Sequence, residues 1–332
     1  MELYVIDQKN MERLLSMKEA IEADKIALAS WSAGRSHVPL RITFPMKEGH
    51  GISQYMPAYD TMADAVGVKI VSTYPDNIEK GLPSVPSLVV MVDSETGMPQ
   101  ALLNGTYLTQ LRTGALAGAA TELLSREDSR VFALFGTGGQ APCQLEAVLS
   151  VRPQIETVYI YGRHKERARA FVEKMKKRLD ARYPVHYIVA ETAEEAVCHA
   201  DIITTVTTSA EPVFDGCLLK KGVHINAIGY SNPEGREIDE TTVLAADHLY
   251  ADTMDGVLNE VGELRLPLLE GKLARERIHE LGEYILGSAE GRQSPDEITL
   301  FKSVGFGGLD VVVAKQLIEK CIQSGGCPRI EI

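Results

Sequence analysis

The sequence offers little sulfur chemistry. Its five cysteines, Cys143, Cys198, Cys217, Cys321 and Cys327, form no C-x-x-C pair and no Cys/His ligand spacing. That pattern argues against the common zinc and dithiol motifs, and it predicts free thiols in a reducing compartment and no metal site. No apolar run reaches the roughly 20 residues of a membrane span. The opening MELYVIDQKN has neither the basic nor the apolar region of an export signal. These absences predict a cytoplasmic protein without a membrane partner. Positive charge is also scarce: 34 Lys and Arg against 46 Asp and Glu leave a net charge of −12, so nucleic acid is not an expected partner. Low-complexity tracts and internal repeats are missing too. What remains is an ordinary globular composition, 45% hydrophobic and 24% charged, in a chain long enough for two domains with full cores.

The most informative stretch is Val131–Val148, VFALFGTGGQAPCQLEAV. Val131–Phe135 is a β-prone apolar run, too short for a helix and stopped at once by glycine. Gly136-Thr137-Gly138-Gly139-Gln140-Ala141 then spells G-x-G-x-x-A, and a helical pattern follows from Gln144 to Leu149. Gly136 permits a tight turn, Gly138 lets backbone approach a pyrophosphate, and Ala141 lets the helix sit close on the strand. Free N–H groups and the positive dipole at the helix start suit phosphate. A glycine turn alone is weak evidence, because such turns are common. Here it lies between a strand and a helix, with a second strand, Thr157–Tyr161, following, and that context points to dinucleotide binding over a plain structural turn.

Before this stretch the chain reads as strand Leu3–Ile6 and a helix opened by the capping box Ser16/Glu19 and stopped at Gly34. Short β-like pieces follow at Arg41–Phe44, Gly51–Met56, Ala65–Thr73, Ser87–Asp93 and Ala101–Leu103. Strands joined by turns without helices suggest an antiparallel sheet. Thr109–Leu124 reads as a helix rich in Ala and Gly. After Val131 strand and helix alternate, with helices at Lys165–Arg178 and Ala193–Cys198 and strands at His186–Val189, Asp201–Thr205, His224–Ile228 and Leu249–Ala251. That alternation predicts a parallel, doubly wound α/β sheet. The stretch from Asp252 to Gly287 reads as helical and polar. A last apolar helix, Gly308–Gln323, is expected to return to the N-terminal domain, making the nucleotide domain an insertion.

The end of the second strand bears on which dinucleotide binds. Enzymes for NAD usually place an acid there for the ribose 2′-hydroxyl, whereas arginine suits a 2′-phosphate. This chain reads Tyr161-Gly162-Arg163-His164-Lys165, with no carboxylate, so NADP is favoured, with NAD as the alternative.

A set of further pieces carries a resemblance over about Tyr4–Arg329. They include Gln54-Tyr55-Met56-Pro57-Ala58-Tyr59, Gly67-Val68-Lys69, Gly81-Leu82-Pro83-Ser84, Asp93-Ser94-Glu95-Thr96-Gly97 and Leu111-Arg112-Thr113. Ile225-Asn226-Ala227-Ile228-Gly229, EYILGSAEGR at Glu283–Arg292 and Phe301-Lys302-Ser303-Val304-Gly305 complete the set. Together they resemble the ornithine cyclodeaminase/μ-crystallin family, which also includes alanine dehydrogenases and reductases of cyclic ketimines. The resemblance implies a Rossmann domain, 116–304, inserted into an α+β substrate and dimerisation domain made of both chain ends, 1–115 and 305–332. It also implies a homodimer or larger homo-oligomer acting on a small imino or amino acid.

Residue by residue, the resemblance implies that Arg41 grips the substrate carboxylate, Lys69 lies beside the reacting carbon, and Arg112 lies between substrate and cofactor. It extends the cofactor contacts to Ser84, Arg112, Thr113, Gly136, Gly138, Gly139, Gln140, Ala141, Gly162, Arg163, His164, Thr205, Val206, Ile228, Gly229 and Ser303. For most Arg and Lys residues a solvated surface charge is the better explanation. Arg41 and Lys69, however, lie in or beside apolar β-like runs. Two positions depart from the cyclodeaminases: Ser231 stands where they carry an aspartate, and Gln54 where they carry a glutamate. Ornithine cyclisation needs a base that accepts and returns protons, which neutral Ser and Gln do poorly. Reduction of a cyclic ketimine such as pyrroline-2-carboxylate or piperideine-2-carboxylate needs only one hydride transfer and is the first expectation, with Lys69, Arg112 and Ser231 as catalytic residues. Ornithine cyclodeaminase or alanine dehydrogenase activity is the alternative, with Asp310 or Glu237 as a substitute base. A nucleotide-dependent binding protein is the third.

Overall fold

The computed structural model describes residues 1–46, 51–229 and 233–332, so Ser231 lies outside the described residues. The N-terminal segment forms strand β1 (Glu2–Ile6) and helices α1 (Gln8–Leu14) and α2 (Met17–Ser32). Ser16 and Glu19 close the expected capping box on α2. Then come β2 (Ser36–His37), β3 (Ile42–Pro45), β4 (Ile52–Asp60), β5 (Ala65–Thr73), β6 (Ser87–Val92) and β7 (Pro99–Asn104), followed by α3 (Gly105–Leu124). The alternating part is β8 (Val131–Phe135), α4 (Ala141–Val151), β9 (Thr157–Tyr161), α5 (Lys165–Leu179), β10 (His186–Val189), α6 (Ala193–His199) and β11 (Ile202–Thr205). It continues with β12 (His224–Ala227), α7 (Glu240–Ala245), β13 (His248–Ala251), α8 (Met254–Glu260), α9 (Gly262–Leu269), β14 (Ile278–Glu280), α10 (Leu281–Ile285) and β15 (Thr299–Lys302). Helix α11 (Gly307–Ser324) and β16 (Arg329–Glu331) end the chain.

Two units divide these elements, one of Met1–Arg112 with Phe306–Ile332 and one of Thr113–Gly305. In the unit built from both chain ends, the strand order is β16-β1-β7-β6-β5-β4-β2, with β3 also on β4. The run β4 to β7 is antiparallel, as the turn-linked pieces predict. The sheet is nevertheless mixed, because β1 lies parallel to β7. Helix α11 packs on β4, β5 and β6, and α2 packs on α11. Its buried face carries Leu309, Val312, Val313, Leu317 and Ile318, and each such side chain contributes about 1.5–3 kcal/mol relative to exposure. Asp310 lies in that same buried stretch, where a charge needs a specific partner.

The Thr113–Gly305 unit is a parallel sheet in the order β10-β9-β8-β11-β12-β15-β13-β14. This is the doubly wound α/β arrangement. The polar stretch after Asp252 is not wholly helical, since it contains β14, and β15 follows it between β12 and β13. Both strands are very short, so neither shows a period-2 pattern. The small residues of α3 allow close packing: a Cβ on Gly114 would meet the Cys143 backbone of α4 at 2.6 Å. Within the described residues no helix is long and apolar enough to cross a membrane.

The expectation of five free thiols is corrected. Cys321 and Cys327 are joined in a disulfide, while Cys143, Cys198 and Cys217 form none among the described residues. Helix α11 ends on Gly325 in the left-handed region, φ 61°, and this turn brings Cys327 back to a Cα–Cα distance of 5.6 Å from Cys321. The ligand-type spacings considered in the sequence do not include this local reversal of the chain.

Candidate active site

In the Thr113–Gly305 unit the G-x-G-x-x-A turn leaves the end of β8. Gly136 has φ 109° and its added Cβ would meet the Val206 carbonyl at 2.7 Å, so this position needs glycine on two counts. An added Cβ on Gly138 would meet nothing within 4 Å, as expected for backbone left open to a ligand. Gln140 caps α4 without a side-chain bond to the helix, and its Oε1 is buried with no partner among the described residues. In the first turn of α4 the Ala141 amide donates to the Gly138 carbonyl at 3.2 Å and Pro142 has no N–H, so what this helix start offers an anion is chiefly its positive dipole.

The pocket beside this turn is lined by Gly136, Thr137 and Gly138, by Gly162, Arg163, His164 and Arg167, and by Val206–Ser209. No carboxylate is among its described lining residues. Arg167, in the first turn of α5, was not anticipated from the sequence, although its place four residues after Arg163 is a usable signal. This set fits a dinucleotide, with glycines and a helix start for the pyrophosphate and cations at the end of β9.

One buried carboxylate shapes the opposite rim. Glu237 accepts the Thr205 hydroxyl at 2.8 Å, the Gly229 amide at 3.0 Å and the Thr207 amide. Burial raises its pKa against these donors and against Lys302. Thr205 and Gly229 are thus anchored to Glu237, and neither they nor Ile228 line the pocket. Ser303 likewise donates to buried Asp252 at 2.7 Å, and the same carboxylate accepts the Val304 and Gly305 amides. Gly139, Gln140 and Ala141 complete the turn behind the lining residues. Thr113 offers its carbonyl to Gln144 at 3.0 Å. The motif residue Asn226 is structural: it donates to Thr121 at 2.9 Å, and His224 lies between it and Thr299. Burial pushes the pKa of His224 down to about 3, so the ring is neutral.

The second constellation belongs to the other unit. Lys69, on β5, is paired in register with Met56 of β4 and Val89 of β6, both uncharged. Its side chain is 2% exposed, and its ammonium forms an ion pair with Asp310 at 2.6 Å. The other Asp310 oxygen receives Arg112 Nε at 3.0 Å. Burial pulls the Lys69 pKa down to about 8, while Asp310 opposes that shift and Arg112 and Arg41 add to it. Arg41 is thereby within electrostatic reach of Lys69. Asp24, on α2, is fully buried, and neither carboxylate oxygen has a hydrogen-bond partner among the described residues. Burial raises its pKa well above the ordinary range, and Asp310 adds to that effect while Arg112 opposes it. Asp24 is therefore the neutral acid.

Structure thus brings Arg41, Lys69 and Arg112 into one electrostatic cluster. Gln54 is on the neighbouring strand and donates to Thr43 at 3.3 Å. Ser84 belongs to the same unit, and its carbonyl accepts the Tyr74 amide at 2.8 Å. Asp24 was missed in the sequence, and Asp310 entered only as a substitute base. Both could have been noticed as acids in apolar helical runs, as with Ile21, Asp24 and Leu28 on one buried face. Among the described residues no group of His, Cys, Asp or Glu is placed to hold a metal ion.

Several known proteins share this architecture. A Bacillus cereus protein named Delta(1)-pyrroline-2-carboxylate reductase is 38% identical over 330 residues, covering 99% of this chain and all of its own. The Thermococcus litoralis Delta(1)-pyrroline-2-carboxylate reductase, solved with NADH and L-proline, superposes with a TM-score of 0.93 at 38% identity, over 99% of this chain and 100% of the other. An archaeal alanine dehydrogenase dimer with bound NAD superposes at 0.89 with 34% identity, over 100% of both chains. The Ornithine cyclodeaminase/mu-crystallin family profile matches residues 1–325. The chain belongs to the ornithine cyclodeaminase/mu-crystallin family.

Proposed function

We propose that the protein reduces a cyclic ketimine, pyrroline-2-carboxylate or piperideine-2-carboxylate, to the cyclic amino acid with a nicotinamide dinucleotide. The observation that carries this is the buried set in which two cations, Lys69 and Arg112, share one carboxylate, Asp310. Arg41 adds a further positive charge nearby, so the cluster suits an anionic substrate. The two relatives named as pyrroline-2-carboxylate reductases support the same choice of substrate.

The chemistry asked of these residues is modest. Arg41 and the Nη edge of Arg112, whose Nε is held by Asp310, bind the substrate carboxylate as guanidinium forks. Lys69 gives a proton to the imine nitrogen, making the adjacent carbon electrophilic, and afterwards regains a proton from solvent. When bound, the dinucleotide supplies the hydride that this carbon accepts. No carboxylate base is needed in this direction. Both substitute bases considered from the sequence have other tasks: Asp310 holds two cations, and Glu237 anchors the pocket rim.

NADP is the favoured cofactor, on the strength of Arg163, His164 and Arg167 lining the pocket with no acid among its described lining residues. The test is oxidation of NADPH and of NADH with each ketimine, by the unmodified protein and by Arg163→Ala. NADPH should have the lower KM, and the substitution should narrow the difference by about ten- to a hundredfold, the value of about 1.5–3 kcal/mol for a charge-assisted bond. Equal KM values in the unmodified protein would remove the NADP preference, and turnover of neither ketimine would remove the substrate.

Assembly of two copies through the sheet of the chain-end unit is supported by its exposed apolar side chains, Ile42 and Phe44 of β3 and Leu88 of β6. Sedimentation at micromolar concentration should give at least a dimer mass; a monomer would refute it.

A further inference from the structure

Among the described residues, Asp310 is the one that touches both Lys69 and Arg112. It comes from α11, near the far end of the chain, and its side chain is 1% exposed. One oxygen meets Lys69 at 2.6 Å and the other meets Arg112 at 3.0 Å. A carboxylate at this depth is tolerated because it is doubly paired, and removing it would leave two buried cations facing each other. Building on the proposed reduction, we propose that Asp310 is the positioning residue of this site, anchoring the Lys69 ammonium and holding Arg112 by Nε so that the two act as one donor set.

Among the described residues, this task falls to Asp310. Strands β4 and β6 place Met56 and Val89 beside Lys69, and neither titrates. Arg112 from α3 and Arg41 both disfavour the Lys69 ammonium, as does burial. Asp310 from α11 is the charge that favours it. Asp24 from α2 is the other acid coupled to Arg112 and Asp310, but it is buried without a partner among the described residues and holds its proton. Were Asp24 ionised, two carboxylates would divide the two cations. With Asp24 neutral, the cluster of Lys69, Arg112 and Asp310 keeps one net positive charge for a substrate carboxylate.

The sign of the pH effect follows. Lys69 donates only while protonated, so kcat/KM for the ketimine falls as pH rises through the Lys69 pKa of about 8. In Asp310→Asn the favouring charge is lost, so that fall moves to lower pH. The substrate's own titration is the same for both proteins and drops out of the comparison.

The experiment is an NMR titration of lysine ε-13C-labelled protein, with the Lys69 signal assigned by its loss in Lys69→Met, beside the pH profile of kcat/KM. In Asp310→Asn the Lys69 midpoint and the basic limb should move down together. Asp24→Asn, neutral for neutral, should leave the midpoint in place. Arg112→Gln, which removes a repelling charge, should raise it, and this variant serves if Asp310→Asn does not fold. An unmoved Lys69 midpoint in a folded Asp310→Asn, or an equal fall in Asp24→Asn, overturns the assignment. So does an unmoved midpoint in Arg112→Gln. If the unmodified protein reduces no ketimine, the proposed reaction fails, and the NMR midpoints still decide the role of Asp310.

Discussion

Replacing Lys69 by methionine should lower kcat/KM for the ketimine by about a hundred- to ten-thousandfold, the range spanned by a positioned general acid. Methionine has similar length and no proton to give. The buried site should survive the change, because Asp310 keeps Arg112 as its partner at 3.0 Å. Some stability is lost, since breaking one half of a buried pair is unfavourable. A melting curve separates that loss from catalysis: a cooperative transition with the activity gone places the defect in the chemistry. Retention of activity within about threefold, far less than a general acid contributes, would remove Lys69 from the reaction.

Gly136→Ala should be nearly as damaging, through the cofactor. The residue has φ 109°, and the new methyl group would stand 2.7 Å from the Val206 carbonyl. Val206 is itself a pocket residue, so relief of the clash displaces the rim or the turn. A strained backbone of this kind costs about 1–3 kcal/mol, which is about five- to 150-fold if it appears in the dinucleotide Kd. Calorimetric titration with NADPH measures it. Gly138→Ala is the instructive partner, since its Cβ meets no protein atom within 4 Å. Binding that is unimpaired in Gly136→Ala would refute the role given to this turn.

How much of this was legible in the residues depends on how local each feature is. The strand–turn–helix around Gly136 is written in consecutive positions, and β8 and β9 match their expected limits, Val131–Phe135 and Thr157–Tyr161. Strands β14 and β15 were not legible, being three and four residues long and placed in the sheet by partners far away in sequence. The substrate cluster was half legible. Arg41 and Lys69 stand out as cations in or beside apolar runs and the resemblance marks Arg112, but the carboxylate that pairs Lys69 with Arg112 lies 198 residues beyond Arg112. Nothing in a linear pattern joins α11 to β5. Thr205 and Ser303 show the reverse case: the resemblance marks them as cofactor contacts, while the structure gives their hydroxyls to Glu237 and Asp252.

The measurement that bears most directly on the proposed reaction is transfer of deuterium from cofactor to product. The protein is incubated with pyrroline-2-carboxylate and NADPH deuterated at C4 on the transferring face, and the proline formed is examined by mass spectrometry and NMR. The same protein is incubated with ornithine and NAD(P), and ammonia is measured. Hydride reduction of the imine predicts proline carrying a single deuterium on Cα, with slow or no release of ammonia from ornithine. Unlabelled proline, or ammonia released from ornithine faster than the ketimine is reduced, would contradict it.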